Sequence, residues 1–310
     1  MTHVPSRLLV LAALLVAPLA AAPAAWAQGT APPDNDNDGV FEVSTTDHLV
    51  YLSQNPNADF TADYEQTADI SFPADETTFD WDGDGTPDGN GTSGWFPIGD
   101  FGNQFEGTYD GGGHTISNLY IDRTANRQGL FGDFQGVVKN LGVVDCDITT
   151  TLSSVGAVVG QLDDSFDGGG ELLNVYATGS VTGDSFVGGL AGPTTQNSST
   201  EIKNSYSRVD ATCTGFNCEV GGLISQNGGL IENSYSTGAV ANNGTGTGGA
   251  TGGLVAVNEV GNGTGDDAGT VTNSFWDTET SGQTTSDGGT GKTTTEMKTQ
   301  STFTGAGWDF

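Results

Sequence analysis

Val187-Gly188-Gly189-Leu190-Ala191-Gly192 is one copy of a phrase that this chain repeats. Val155-Gly156-Ala157-Val158-Val159-Gly160 precedes it, and Val220-Gly221-Gly222-Leu223-Ile224-Ser225 and Thr251-Gly252-Gly253-Leu254-Val255-Ala256 follow it. The copies start 32, 33 and 31 residues apart. Each is followed by a second phrase: Asn174-Val175-Tyr176-Ala177-Thr178-Gly179, Asn204-Ser205-Tyr206-Ser207, Asn233-Ser234-Tyr235-Ser236-Thr237-Gly238, and Asn273-Ser274-Phe275. A worn earlier copy reads Gly129-Leu130-Phe131-Gly132 with Asn140-Leu141-Gly142. A fixed period in this range marks a stacked array of small supersecondary units.

Each unit carries short β-type runs, such as Val187–Leu190 and the partly alternating Ile231–Val240, separated by Gly, Asn, Ser, Thr and Asp turn material. Helical periodicity is absent from the repeats, and 49 glycines oppose paired-helix solenoids. Four apolar positions per unit cannot offset the ordering of about thirty residues, so a unit folds only against its copies. The spacing predicts an all-β chain: a parallel β-helix with one repeat per coil, right-handed by the strong preference of parallel crossovers. A β-propeller is the alternative, but the unit is short for a four-stranded blade. A Gly at each turn is expected to supply positive φ, and the recurrent Asn174, Asn204, Asn233 and Asn273 to stack their amides. The stretch Glu259 to Gly269 reads as a loop inserted off the stack.

The ends need covers. Thr45-Thr46-Asp47-His48-Leu49-Val50-Tyr51-Leu52 predicts a short capping helix over 46–54. Thr293-Thr294-Thr295-Glu296 is a capping box ahead of Met297 and Phe303, and Trp308 and Phe310 read as a lid on the last coil. The expected organisation is a signal peptide over 1–27, an N-terminal segment over 28–97 with the capping helix and acidic loops, repeats over 98–280, and a cap over 281–310. The signal peptide is read from Arg7, the apolar run Leu8 to Leu19, and Ala25-Trp26-Ala27 as the cleavage site. Export follows, with no transmembrane segment in the secreted chain.

Charge bounds the partners. The formal net charge is −31, with 39 Asp and Glu against 8 Lys and Arg. Such a chain repels nucleic acid and anionic lipid. Acids spread along the whole length suit concentrated salt, where self-repulsion is screened, or a calcium-loaded surface. Of three cysteines, Cys213 and Cys218 bracket a turn-like Thr-Gly-Phe-Asn and suit one local bridge after export, while Cys146 sits in an apolar pattern and reads as core.

These phrases resemble the GLUG-type repeats of extracellular bacterial and archaeal surface proteins and adhesins. The likeness rests on the Gly-Gly-Leu and Asn-Ser-Tyr-x-Thr-Gly phrases, on Phe105-Glu-Gly-Thr-Tyr-Asp-Gly-Gly-Gly-His-Thr-Ile-Ser-Asn-Leu119, and on the closing Phe275-Trp-Asp-Thr-Glu-Thr-Ser-Gly-Gln283. It covers about residues 41 to 310 and implies a β-helical surface or secreted protein. It supplies no catalytic residues.

Two acidic loops offer candidate calcium ligands. Asp80, Asp82, Asp84 and Asp88 place oxygens at alternate positions around Gly85, and Asp34, Asp36 and Asp38 do so before Gly39. Both lack the glutamate of a complete hand loop at the twelfth position, where Gly91 and Thr45 stand. Ser286-Asp-Gly-Gly-Thr-Gly-Lys292-Thr293 echoes a phosphate loop without its strand–loop–helix context and reads as a flexible glycine-rich loop. His114 reads as a turn or strand-end residue.

Non-enzymatic action in adhesion or as an envelope element, toward a polysaccharide or protein ligand, is the leading expectation. The alternative is a polysaccharide hydrolase or lyase, which requires carboxylates to converge in a groove, for example among Asp110, Asp122, Asp145, Asp147 and Asp163. A third reading is a carbohydrate-binding protein using Trp81, Trp95 or Trp276 as stacking platforms, against packing as their simpler role.

Overall fold

The computed structural model describes residues 29–81, 93–163, 169–195, 199–258 and 268–309. It is a parallel β-helix. One sheet has eight parallel strands in spatial order Val40–Val43, Asp63–Gln66, Thr108–Asp110, Val137–Lys139, Glu171–Leu173, Glu201–Lys203, Leu230–Glu232 and Thr270–Thr272. Their central residues form one row, from Phe41 through Tyr64, Tyr109, Val138, Leu172, Ile202 and Ile231 to Val271. From Tyr64 to Ile231 this row is buried. The ladder thus reaches to Val40, ahead of the repeated phrases.

The chain leaves this sheet at an asparagine. Asn140, Asn174, Asn204, Asn233 and Asn273 have φ between 50° and 57°, in the left-handed region that Asn tolerates better than other non-glycine residues. Their amides link coils: Asn174 Nδ2 donates to Asn140 Oδ1 at 3.1 Å, and Asn233 Nδ2 to Asn204 Oδ1 at 3.3 Å. The next position forms a buried hydroxyl ladder. The backbone N–H of Val175 donates to Ser205 Oγ, that of Ser205 to Ser234 Oγ, and that of Ser234 to Ser274 Oγ, at 3.0, 3.3 and 3.1 Å. Then comes the second sheet, whose outward row stacks Tyr176 on Tyr206 and Tyr206 on Tyr235, with ring centroids 5.0 and 4.8 Å apart. Asn-Ser-Tyr is therefore a bend, an inward hydrogen-bond relay and an outward aromatic stack.

The Gly-Gly-Leu phrase forms the third side, and its glycines correct the sequence expectation. Gly188, Gly189, Gly221, Gly222, Gly252 and Gly253 are absent from the positive-φ residues; the asparagines turn the chain instead. The glycines are required by closeness. A Cβ on Gly188 would stand 1.8 Å from the Ala191 carbonyl oxygen, and one on Gly222 would stand 2.2 Å from that of Gly253 and 2.8 Å from Ser236 Oγ. Leu190, Leu223 and Leu254 fill the core behind them.

Thr46–Gln54 is a helix, capped by Thr45 Oγ1 accepting from the His48 N–H at 3.2 Å, and it buries Leu49, Val50 and Leu52. At the other end Thr293 and Glu296 form the capping box of the helix Thr294–Met297, and Gln300–Thr304 brings Phe303 against Phe275 and Tyr235. Trp308 closes over them with its Nε1–H on the Asn273 carbonyl at 2.8 Å; Phe310 lies outside the described residues. The stretch 286–292 is not a free loop. Ser286 Oγ accepts from the N–H groups of Leu254 and Val255, and Thr290–Lys292 adds a strand beside Phe275–Asp277. Cys213 and Cys218 are disulfide-bonded, and Cys146 is buried, its thiol pushed by burial up to about 12. Most of the insertion that starts at Glu259 lies outside the described residues. Among the described residues no helix is long and apolar enough to cross a membrane.

Candidate functional sites along the stack

At the amino end, one carboxylate oxygen from each of Asp34, Asp36 and Asp38 can be taken within 4.8 Å of the others. Alternation in Asp-Asn-Asp-Asn-Asp-Gly sets this up. Asn37 and Gly39 take positive φ, and the N–H groups of Asp38, Gly39 and Val40 donate to Asp36, Asp34 and Asp38 at 3.2, 3.2 and 2.8 Å. Asp34 Oδ1 is shielded from solvent and accepts no hydrogen bond among the described residues, so the donor set suits a hard cation. Of the second acidic loop, Asp80 is described and half-buried, whereas Asp82, Asp84 and Asp88 lie outside the described residues.

The five carboxylates proposed for catalysis do not gather at one place. Asp110 sits on the first sheet, paired with Lys139 Nζ at 3.1 Å and bonded to Asn140. Asp122 is exposed on the strand Tyr120–Arg123. Asp145 and Asp147 share a hollow of about 160 Å³ with Asn118 and Tyr120. Asp163 belongs to the third side, where it meets a carboxylate that the sequence did not single out, Asp133.

Asp133 is fully buried, and Asp163 is 4% exposed. Gln104 Nε2 and Thr195 Oγ1 donate to the two oxygens of Asp163 at 3.1 and 3.0 Å. Arg127 Nε stands 3.2 Å from Asp133 Oδ2, yet its single hydrogen is directed to Gln161 Oε1 at 3.1 Å, and neither Asp133 oxygen takes a hydrogen bond. Burial pushes the Asp133 carboxyl up to about 6; Arg127 opposes this, and the like charges of Asp163 and Asp100 add to it. Beside the pair lies a groove of about 360 Å³ with Phe96, Phe101 and Arg127 on its walls, the Arg127 guanidinium lying 4.8 Å from the Phe101 ring centre. Glycoside hydrolysis needs two carboxyls reaching a bound sugar from opposite sides. Here Asp133 is sealed beneath the surface and Asp163 is held by internal donors, so the pair does not present two carboxyls to a bound sugar.

The aromatic candidates divide differently. Trp81, Trp95 and Trp276 are 1%, 0% and 6% exposed and are packing residues, so none offers a face to a sugar. Trp308, which the sequence assigned only to a lid, is half-buried and lines a cleft of about 450 Å³ with Tyr235 and Phe303. His114 closes a turn, its N–H on the Gly111 carbonyl at 2.8 Å, just before the strand Thr115–Ser117.

No protein-family profile matches the chain. It is 42% identical over 139 residues to halomucin of Haloquadratum walsbyi, a match that covers 44% of this chain and 1% of halomucin. It is 40% identical over 115 residues to a protein of Evansella cellulosilytica provisionally named a Gly-rich membrane protein, covering 37% of this chain and 12% of that one. The chain thus spans a small part of the length of these relatives. A solved structure from Bacteroides ovatus, provisionally assigned as an immunoglobulin A1 protease, aligns with a TM-score of 0.58 over 83% of this chain and 85% of that chain. At 19% identity that likeness is one of fold.

Proposed function

We propose that this chain is a surface or envelope β-helix, exported by its amino-terminal segment, that acts non-catalytically in adhesion or as a structural element of the cell envelope. One observation carries the reading: the residues recurring from coil to coil are all engaged in building the stack. Asn bends and links, Ser relays, Tyr stacks, and Gly-Gly-Leu closes the third side. A repeated framework is how a scaffold presents many weak contacts, which avidity makes effective. The two relatives, one a halomucin and one named for a membrane, support the same placement. The resemblance to GLUG-type repeat proteins belongs to this reading, as do tolerance of high salt and calcium at Asp34, Asp36 and Asp38.

Deleting the gene and measuring attachment and envelope integrity tests it. Cells lacking the protein are expected to attach less or to leak, and restoration by the full chain is expected to reverse this. Unaltered attachment and envelope would remove the proposal.

A further inference from the structure

We propose that the cleft between the last coil and the carboxyl-terminal cap binds an acidic sugar residue, a uronate unit of an extracellular polysaccharide. This deepens the adhesive reading and rests on it only for where the ligand comes from. The cleft holds about 450 Å³, within the size range of small-ligand sites. Tyr235, Phe303 and Trp308 form its apolar wall, and Thr237, Thr280 and Thr294 put hydroxyls on its lining. Aromatic surface beside hydroxyls matches a sugar ring, which has an apolar C–H face and a polar rim.

The cations choose among sugars. Lys and Arg number 8 against 39 acids in the whole chain, and two of them, Arg208 and Lys298, line this one cleft. Three other basic groups are matched to acids, Lys139 to Asp110, Lys203 to Glu201 and Arg127 to Asp133, while Arg123 is engaged by the carbonyls of Gly94 and Trp95 and Lys292 lies over the Phe275 ring. Among the described residues neither Arg208 nor Lys298 enters an ion pair. Arg208 is held in place without losing its charge to a carboxylate. It lies 5.1 Å from the Tyr206 ring centre and donates to Tyr235 Oη at 3.4 Å, leaving further N–H donors of its planar fork for an incoming carboxylate. Among the described residues the one acid on the lining is Asp277; it is 2% exposed, and its Oδ1 accepts from the N–H groups of Glu279 and Thr280 and from Thr294 Oγ1 at 2.9, 3.2 and 3.0 Å. Its charge is answered inside the cap. The aromatic wall is preorganised as well, because Trp308 Nε1 is fixed on Asn273 and Phe303 packs between Phe275 and Trp308. A neutral sugar would use the wall alone and leave both cations idle.

The experiment is calorimetry and tryptophan fluorescence on the full secreted chain, titrated with oligogalacturonate and with an uncharged malto-oligosaccharide. The acidic oligomer is expected to bind, and the neutral one to bind at least about tenfold more weakly. Arg208→Gln and Lys298→Gln are each expected to weaken the acidic oligomer about tenfold, with the melting temperature unchanged because both side chains are exposed. No binding of the acidic oligomer, equal binding of both oligomers, or binding indifferent to both substitutions overturns the proposal. Reduced attachment of the deletion strain without uronate binding would sink this cleft and leave the surface role standing. Uronate binding with normal attachment would leave the cleft and remove adhesion.

Discussion

Asp133 is the residue whose environment says most about how the stack works. Its pKa is raised from 3.8 to about 6, so the native state holds the proton more tightly than the unfolded chain does. The stability this confers is complete below pH ~4 and is lost as pH rises through about 6. Asp133→Asn keeps the shape and removes the titration. Relative to the natural chain, the variant is expected to gain stability between pH 4 and 7, by up to about 3 kcal/mol, since each pKa unit is worth ~1.4 kcal/mol. Urea unfolding at four pH values reads this directly, and a difference constant with pH would show that the carboxyl does not titrate there. The sequence did not disclose Asp133, because Phe131-Gly132-Asp133-Phe134 reads as a strand with one polar position and its cover comes from Arg127 and the neighbouring coils. The recurrence of the asparagines was legible because a fixed period is visible without any structure, but the turns were assigned to glycines and not to them.

At the scale of elements, what was local was legible. The helix Thr46–Gln54 falls where its cap hydroxyl and apolar spacing put it, and the Thr293–Glu296 box caps the helix that it announced. Two features were misjudged because their cause lies one coil away. The paired glycines answer to carbonyls and serines of adjoining coils, not to their own φ, and the Ser286 stretch is ordered by Leu254 and Val255, some thirty residues earlier. The cap is built the same way, from far contacts onto one side chain: Phe303 meets Tyr235, Phe275 and Trp308. Phe303→Ala is expected to cost about 3 kcal/mol, as truncation of a buried Phe does. The lost cover also bares the rings of Tyr235 and Phe275, apolar surface through which molecules can associate. Chemical unfolding and light scattering together check this, and a variant as stable and as monodisperse as the natural chain would show that the cap is ornamental to the stack.

For the whole molecule, stacking in register converts an acidic composition into rows of like charge. Glu42 lies opposite Glu65, Glu65 opposite Asp110, and only then does Lys139 follow; on the same sheet Glu171 lies opposite Glu201. Neighbouring coils are ~4.8 Å apart, where two like charges repel by about 1 kcal/mol even in water, and the coil geometry cannot relax without breaking the ladder. Screening lengths shrink from ~10 Å at 0.1 M to ~3 Å at 1 M, so added salt removes repulsion from the folded state, where charges are aligned, more than from the expanded chain. The melting temperature is therefore expected to rise steadily from dilute buffer to molar sodium chloride. Calcium separates the two explanations of the acidity. If it binds the Asp34, Asp36 and Asp38 loop, millimolar calcium adds a saturable increment that Asp36→Asn abolishes, whereas general screening needs far more salt and ignores that substitution. A melting temperature flat in sodium chloride would remove the salt reading of the acidity. A calcium increment that survives Asp36→Asn would move the ion away from this loop.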